Sequence, residues 1–153
     1  MDDLQGAVHC QTAGNHGFIL SRDAALPKHF RIDSEGSVEE CRRDGDRVTC
    51  TTQLDPLPDN YDSWTGCVTG TQSGLTLTGT FTVHEVLHQG DDPNCRTEQR
   101  RSGPVTYDFS LDGTVVMGEG LMHYESKSSG SCPDSYSGQQ WGGQGTGRWS
   151  PVP

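Results

Sequence analysis

The run LTLTGTFTV, Leu75 to Val83, constrains this chain more than any other stretch. Leu75, Leu77, Phe81 and Val83 fall on one face of an extended chain and four threonines on the other, with Gly79 the single gap in the apolar row. Alternation at period two belongs to a strand with one face buried and one in water, and the threonines and glycine make poor helix. HFRIDSEGSVEEC reads as strand, turn, strand, and YDFSLDGTVVMGEG does the same around Asp112-Gly113. GFILS, RVTCTTQ, WTGCVTG and GTGRWS are further short strands between Gly, Pro, Asn and Asp punctuation. The expected fold is a single mainly β domain over residues 1–153, an antiparallel sandwich or barrel of about seven to nine short strands. Helix is confined to a turn within SRDAALPK, and a long Gly/Ser-rich loop is expected over 126–147.

The core of such a domain is thin. Leu, Ile, Val and Phe number 26 of 153 residues, a fraction low enough to accompany disorder in chains without another source of stability. Six cysteines, Cys10, Cys41, Cys50, Cys67, Cys95 and Cys132, supply that source if they pair. No C-x-x-C occurs, and the spacings match no zinc ribbon or knuckle. One pairing is readable: a turn at Gly45-Asp46 in CRRDGDRVTC sets Cys41 opposite Cys50. The other four cysteines allow three pairings. Disulfides imply an oxidising, extracytoplasmic compartment. A secretory signal or anchor would then lie outside this chain, with MDDLQ opening an ectodomain and RWSPVP beginning an exit linker. Nine Arg to two Lys is the bias of a GC-rich genome and suggests an actinobacterial-type source.

A net charge of −10 argues against nucleic acid and anionic membrane surfaces as partners. No apolar run approaches the length of a membrane helix, so no direct membrane insertion is expected. G-x-S-x-G, S-x-x-K and P-loop patterns are absent. Asp55, Asp59, Asn60 and Asp62 offer oxygen ligands, but without the spacing of a calcium loop.

The one catalytic pattern is His84-Glu85-Val86-Leu87-His88, H-E-x-x-H. On a helix, residues four apart share a face about 6 Å apart in rise and can close on one zinc; on a strand they stand about 13 Å apart. Continuing the upstream alternation sends His84 and His88 to the polar face and Glu85 inward, where a carboxylate needs a partner or a bulge. A zinc peptidase would use Glu85 as base and His84, His88 and a third ligand such as Glu119, or His123 in its place. The strand reading is the one adopted, with zinc as cofactor only under that alternative.

Two resemblances are local. Trp141-Gly142-Gly143-Gln144-Gly145-Thr146 is similar to the joining segment of antibody variable domains, without the later Tyr-x-Cys, and LTGTF resembles avidin-like barrels over five residues. No function is carried across from either. The aromatic residues Tyr61, Trp64, Tyr136 and Trp141 fall in loops or at strand ends, where barrels and sandwiches hold ligands. The functional expectation is a non-enzymatic ligand-binding or sensor domain of a membrane-anchored receptor, kinase or lipoprotein, contacting a small molecule, an envelope component or a protein. An adhesion or inhibitor module without a pocket is the remaining alternative.

Overall fold

The computed structural model describes residues 26–89, 92–130 and 136–153. The expected GFILS strand, most of the SRDAALPK turn, Cys10, Cys132 and the side chain of Tyr136 lie outside the described residues. Ten antiparallel strands and no helix make up the described part: β1 (His29–Ser34), β2 (Ser37–Asp44), β3 (Arg47–Leu54), β4 (Tyr61–Ser73), β5 (Thr76–Gln89), β6 (Asp92–Phe109), β7 (Thr114–Glu119), β8 (Leu121–Gly130), β9 (Tyr136–Trp141) and β10 (Gln144–Pro151). The mainly antiparallel β expectation holds, but the strands are neither so few nor so short: β4, β5 and β6 span 13, 14 and 18 residues. Two tight turns sit where the sequence puts them, with Gly45 at φ 62° and Gly113 at φ 96°, the left-handed region that glycine enters freely.

Eight strands close on themselves in the order β5-β4-β3-β2-β1-β10-β7-β6, with β5 pairing back to β6. Closure leaves no unpaired edge, and alternate residues of every strand face the interior. Register fixes which ones. Cys41 opposes Cys50 and Phe30, Val68 opposes Cys50 and Phe81, and Leu77 opposes Tyr107. One end of the barrel is filled solid by Leu26, Phe30, Val48, Val68, Leu77, Phe109 and Val115 around the Cys41–Cys50 disulfide. Phe30, Phe109 and Trp149 meet edge to face there, with centroids 5.6 to 6.5 Å apart. Trp149 is thus part of the plug and the closing RWSP is strand β10, not a linker. Cys67 and Cys95 are disulfide-bonded as well.

Beyond the barrel the long strands continue into an outer sheet. The first half of β6 pairs with β8, and β8 with β9, while its second half pairs with β7. The change-over occurs at Gly120 and Gly142, whose amides donate to the carbonyls of Pro104 and Gly120 at 2.9 and 2.8 Å. A Cβ at Gly120 would meet Pro104 at 2.7 Å and one at Gly142 would meet Glu119 at 2.3 Å, so the bend depends on bare backbone. The expected 126–147 loop is overturned here: Ser126–Gly130, Tyr136–Trp141 and Gln144–Gly147 are strand. Ladder hydrogen bonds hold them, which Gly and Ser permit as well as any residue does.

Candidate ligand cavity

The barrel that is solid at one end is hollow at the other. Moving along β2 and β3 away from the disulfide, the next inward positions are Glu39 and Thr52, then Ser37 and Leu54; along β6 and β7 they are Tyr107 and Met117, then Val105 and Glu119. These residues line a cavity of about 320 Å³, inside the range that small-molecule sites occupy. Trp64 and Phe81 supply aromatic wall, and Gly143, Gln144 and Gly145 form the side contributed by the start of β10.

The lower part of the cavity is polar and buried. Glu39 is 4% exposed, and the Tyr107 hydroxyl donates towards both of its oxygens, at 2.7 and 2.8 Å. Burial raises the Glu39 carboxyl to about 7, against the Tyr107 hydrogen bond and the nearby Thr52 hydroxyl, which favour the charged form; the charge of Glu119 adds to the rise. The Tyr107 hydroxyl is itself held well above the ordinary phenol range by burial and by Glu39, so it remains a donor. Thr52, directly across from Glu39 in β3, is close enough to act on the carboxylate, yet its hydroxyl falls short of good geometry and stands as a buried polar atom without a partner.

The residues singled out by sequence divide between this cavity and the outer sheet. Trp64 and Glu119 line the cavity. Tyr61 does not; its hydroxyl bonds Glu85, and burial and that carboxylate raise it above the usual phenol range. Trp141 ends β9 at 74% exposure and lies outside the cavity lining.

The segment His84–His88 is strand within β5, paired on both sides. The helix on which an H-E-x-x-H zinc site depends is not formed. His84 donates to Glu98 at 2.9 Å and His88 to Asp62 at 2.8 Å, so each imidazole has its own carboxylate. Glu119, the suggested third ligand, faces the barrel interior instead. The outer polar face is not an exposed one at His84, which is 7% exposed. Glu85 does point inward, and its charge is met by Arg101 at 3.7 Å and by Tyr61; burial still raises its carboxyl above the usual range.

Among the described residues, one group has three potential metal-ligand atoms within 4.8 Å of one another: Glu39, Cys41 and Cys50. Its sulfurs are joined at 2.07 Å, and a disulfide sulfur is no thiolate. Among the described residues no helix is long and apolar enough to cross a membrane. Comparisons with family models, curated proteins and solved structures gave no match to this chain.

Proposed function

We propose that this chain is an extracytoplasmic ligand-binding barrel, the sensor or carrier portion of a receptor, kinase or lipoprotein. The observation that carries the binding role is the half-filled barrel: one end plugged by buried apolar side chains, the other an aromatic-walled cavity of about 320 Å³ over a buried Glu39–Tyr107 pair. A fold that needed only stability would fill that end too, since each buried void forfeits packing energy. The compartment is inferred from the Cys41–Cys50 bond and the half-cystines Cys67 and Cys95, because disulfides of this kind persist outside a reducing cytosol.

The test uses 1-aminoanthracene, a fluorescent aromatic that is uncharged at neutral pH. It should bind saturably and report an apolar surround. Gly145 lines the cavity, and a Cβ there meets nothing within 4 Å, so Gly145→Leu sets an apolar side chain at its wall from an unobstructed Cβ. Loss of binding in that variant with an unchanged melting temperature supports the reading. Absence of binding to the native protein overturns it.

A second reading, metal binding, rests on Glu39, Cys41 and Cys50. Reduction would convert the group into one carboxylate and two thiols, ligands that zinc accepts. Zinc taken up by phosphine-reduced protein, and lost in Glu39→Gln, would establish it; equal zinc uptake by oxidised and reduced protein would remove it.

A further inference from the structure

We propose that the cavity takes an organic cation, an ammonium group on an aromatic or branched apolar body, with the nitrogen seated on Glu39 and the body against Trp64 and Phe81. This rests on the cavity being a binding site. Charge is the first ground. Two carboxylates, Glu39 and Glu119, line the cavity, and among the described residues no Lys, Arg or His does. A carboxylate taken out of water needs a cation or several donors. Tyr107 has one proton to divide between two oxygens, and the carboxylate has about four lone-pair sites.

The unpartnered Thr52 hydroxyl, on a residue 4% exposed and part of the same lining, points the same way. An ammonium carries three donors. Two suit the Glu39 oxygens and the third suits Thr52 Oγ1, polar atoms that the protein's own groups leave short of partners. Trp64 and Phe81 present aromatic rings that attract a cation further. An anion would meet two like charges, and a neutral alcohol would leave the buried carboxylate without a counter-charge.

The chain's net charge of −10 adds a long-range preference for a cation over an anion. Size follows from volume: about 320 Å³ is the share of roughly ten waters, room for an amine with one to three flat rings and too little for a long lipid.

Three probes of one shape separate the possibilities: 2-phenylethylamine, 2-phenylethanol and phenylacetate, titrated calorimetrically at pH 7.5 and by displacement of 1-aminoanthracene. The amine should bind at least about tenfold tighter than the alcohol, the advantage of a charged hydrogen bond over a neutral one, and phenylacetate weakest of all. Glu39→Gln should erase the amine's advantage while 1-aminoanthracene still binds. Should that variant fail to fold, Glu119→Gln should weaken the amine several-fold and leave the alcohol unchanged. Binding of 1-aminoanthracene together with equal or better binding of the alcohol or the acid overturns the cation and leaves the cavity reading standing. No binding of 1-aminoanthracene overturns both.

Discussion

The barrel and the outer sheet are made by the same strands and held by opposite means. Inside the barrel, Phe30, Ile32, Val48, Val68, Leu77 and Val115 are wholly withdrawn from water, and stability comes from apolar area and close packing. Past Val83 and Gly103 the same β5 and β6 present charge on both faces. Glu85 meets Arg101, His84 meets Glu98, His88 meets Asp62, and Arg96 and Arg100 lie 3.8 Å from Asp62 and Glu98. This sheet buries only a few apolar side chains, Val86, Met122 and Cys95 among them, and is otherwise held by its ladder and by ion pairs, of which the exposed ones at Asp62, Arg96 and Arg100 return little net energy in water. The barrel should therefore tolerate truncation far less than the sheet.

The largest expected effect lies in the barrel plug. Phe30 packs edge to face on Phe109 and Trp149, and Phe30→Ala should cost about 3–5 kcal/mol by urea unfolding. A loss under about 1 kcal/mol would mean that the plug is loosely packed and the contrast between the two regions is false.

The second effect is a pH dependence. A group whose pKa is raised by folding contributes stability that is full below its unfolded value and is lost as the pH climbs through its folded value. For Glu39 that window runs from 4.5 to about 7. Glu39→Gln is uncharged throughout, so the variant should gain on the native protein by about 3 kcal/mol between pH 4 and 7.5, since each tenfold change in proton affinity is worth about 1.36 kcal/mol. A constant difference across that range would show that folding leaves the proton affinity of Glu39 unchanged, with Tyr107 balancing burial, and a native protein that gains on the variant as the pH rises would show that Tyr107 outweighs it.

How far these regions were legible in the sequence follows from the same contrast. The barrel strands announce themselves because one face is apolar: LTLTGTFTV, RVTCTTQ and the alternating Val105, Tyr107 and Phe109 all point one way. β8 and β9 do not, since LMHYESKSSG has no apolar face to show and YSGQQW reads as loop by composition. Backbone pairing of β8 to β6 and of β9 to β8 holds them, and pairing leaves no trace in residue type. Glu39 was missed for a different reason. In SVEEC the apolar Val38 suggests itself as the buried residue, yet register places Glu39 inside and Val38 outside. A signal did exist: Cys41 and Cys50 were legible as a pair, and once that pair is placed inside the barrel the residue two upstream of Cys41 faces inward as well. Trp64 lines the cavity, whereas Tyr61 and Trp141, grouped with it from the sequence, do not, because the rim expected for them depended on loops that are in fact strand.

The third effect is in the outer sheet and tests whether its charges are as weakly coupled as those of an open surface. Arg101 is the counter-charge of a buried Glu85 whose carboxyl is already raised by burial. Arg101→Gln should cost about 1–3 kcal/mol at pH 7.5, the penalty of an unpaired buried charge. The cost should shrink towards pH 5, since a raised carboxyl regains its proton first. A cost that does not change with pH would assign the loss to the packing of the arginine stem instead.

The smallest effect is expected at Trp141. It is as large as any side chain in the plug but 74% exposed at the end of β9, opposite Leu121 in the ladder. Trp141→Ala should change stability by no more than about 0.5 kcal/mol, as exposed substitutions do, beside the several kcal/mol expected for Phe30→Ala. It should also leave 1-aminoanthracene affinity unchanged, because the cavity wall is completed by Gly143 to Gly145 and not by this residue. If affinity falls while stability holds, the indole folds over the mouth when ligand is present, and the sheet and the barrel form one binding surface rather than two independent regions.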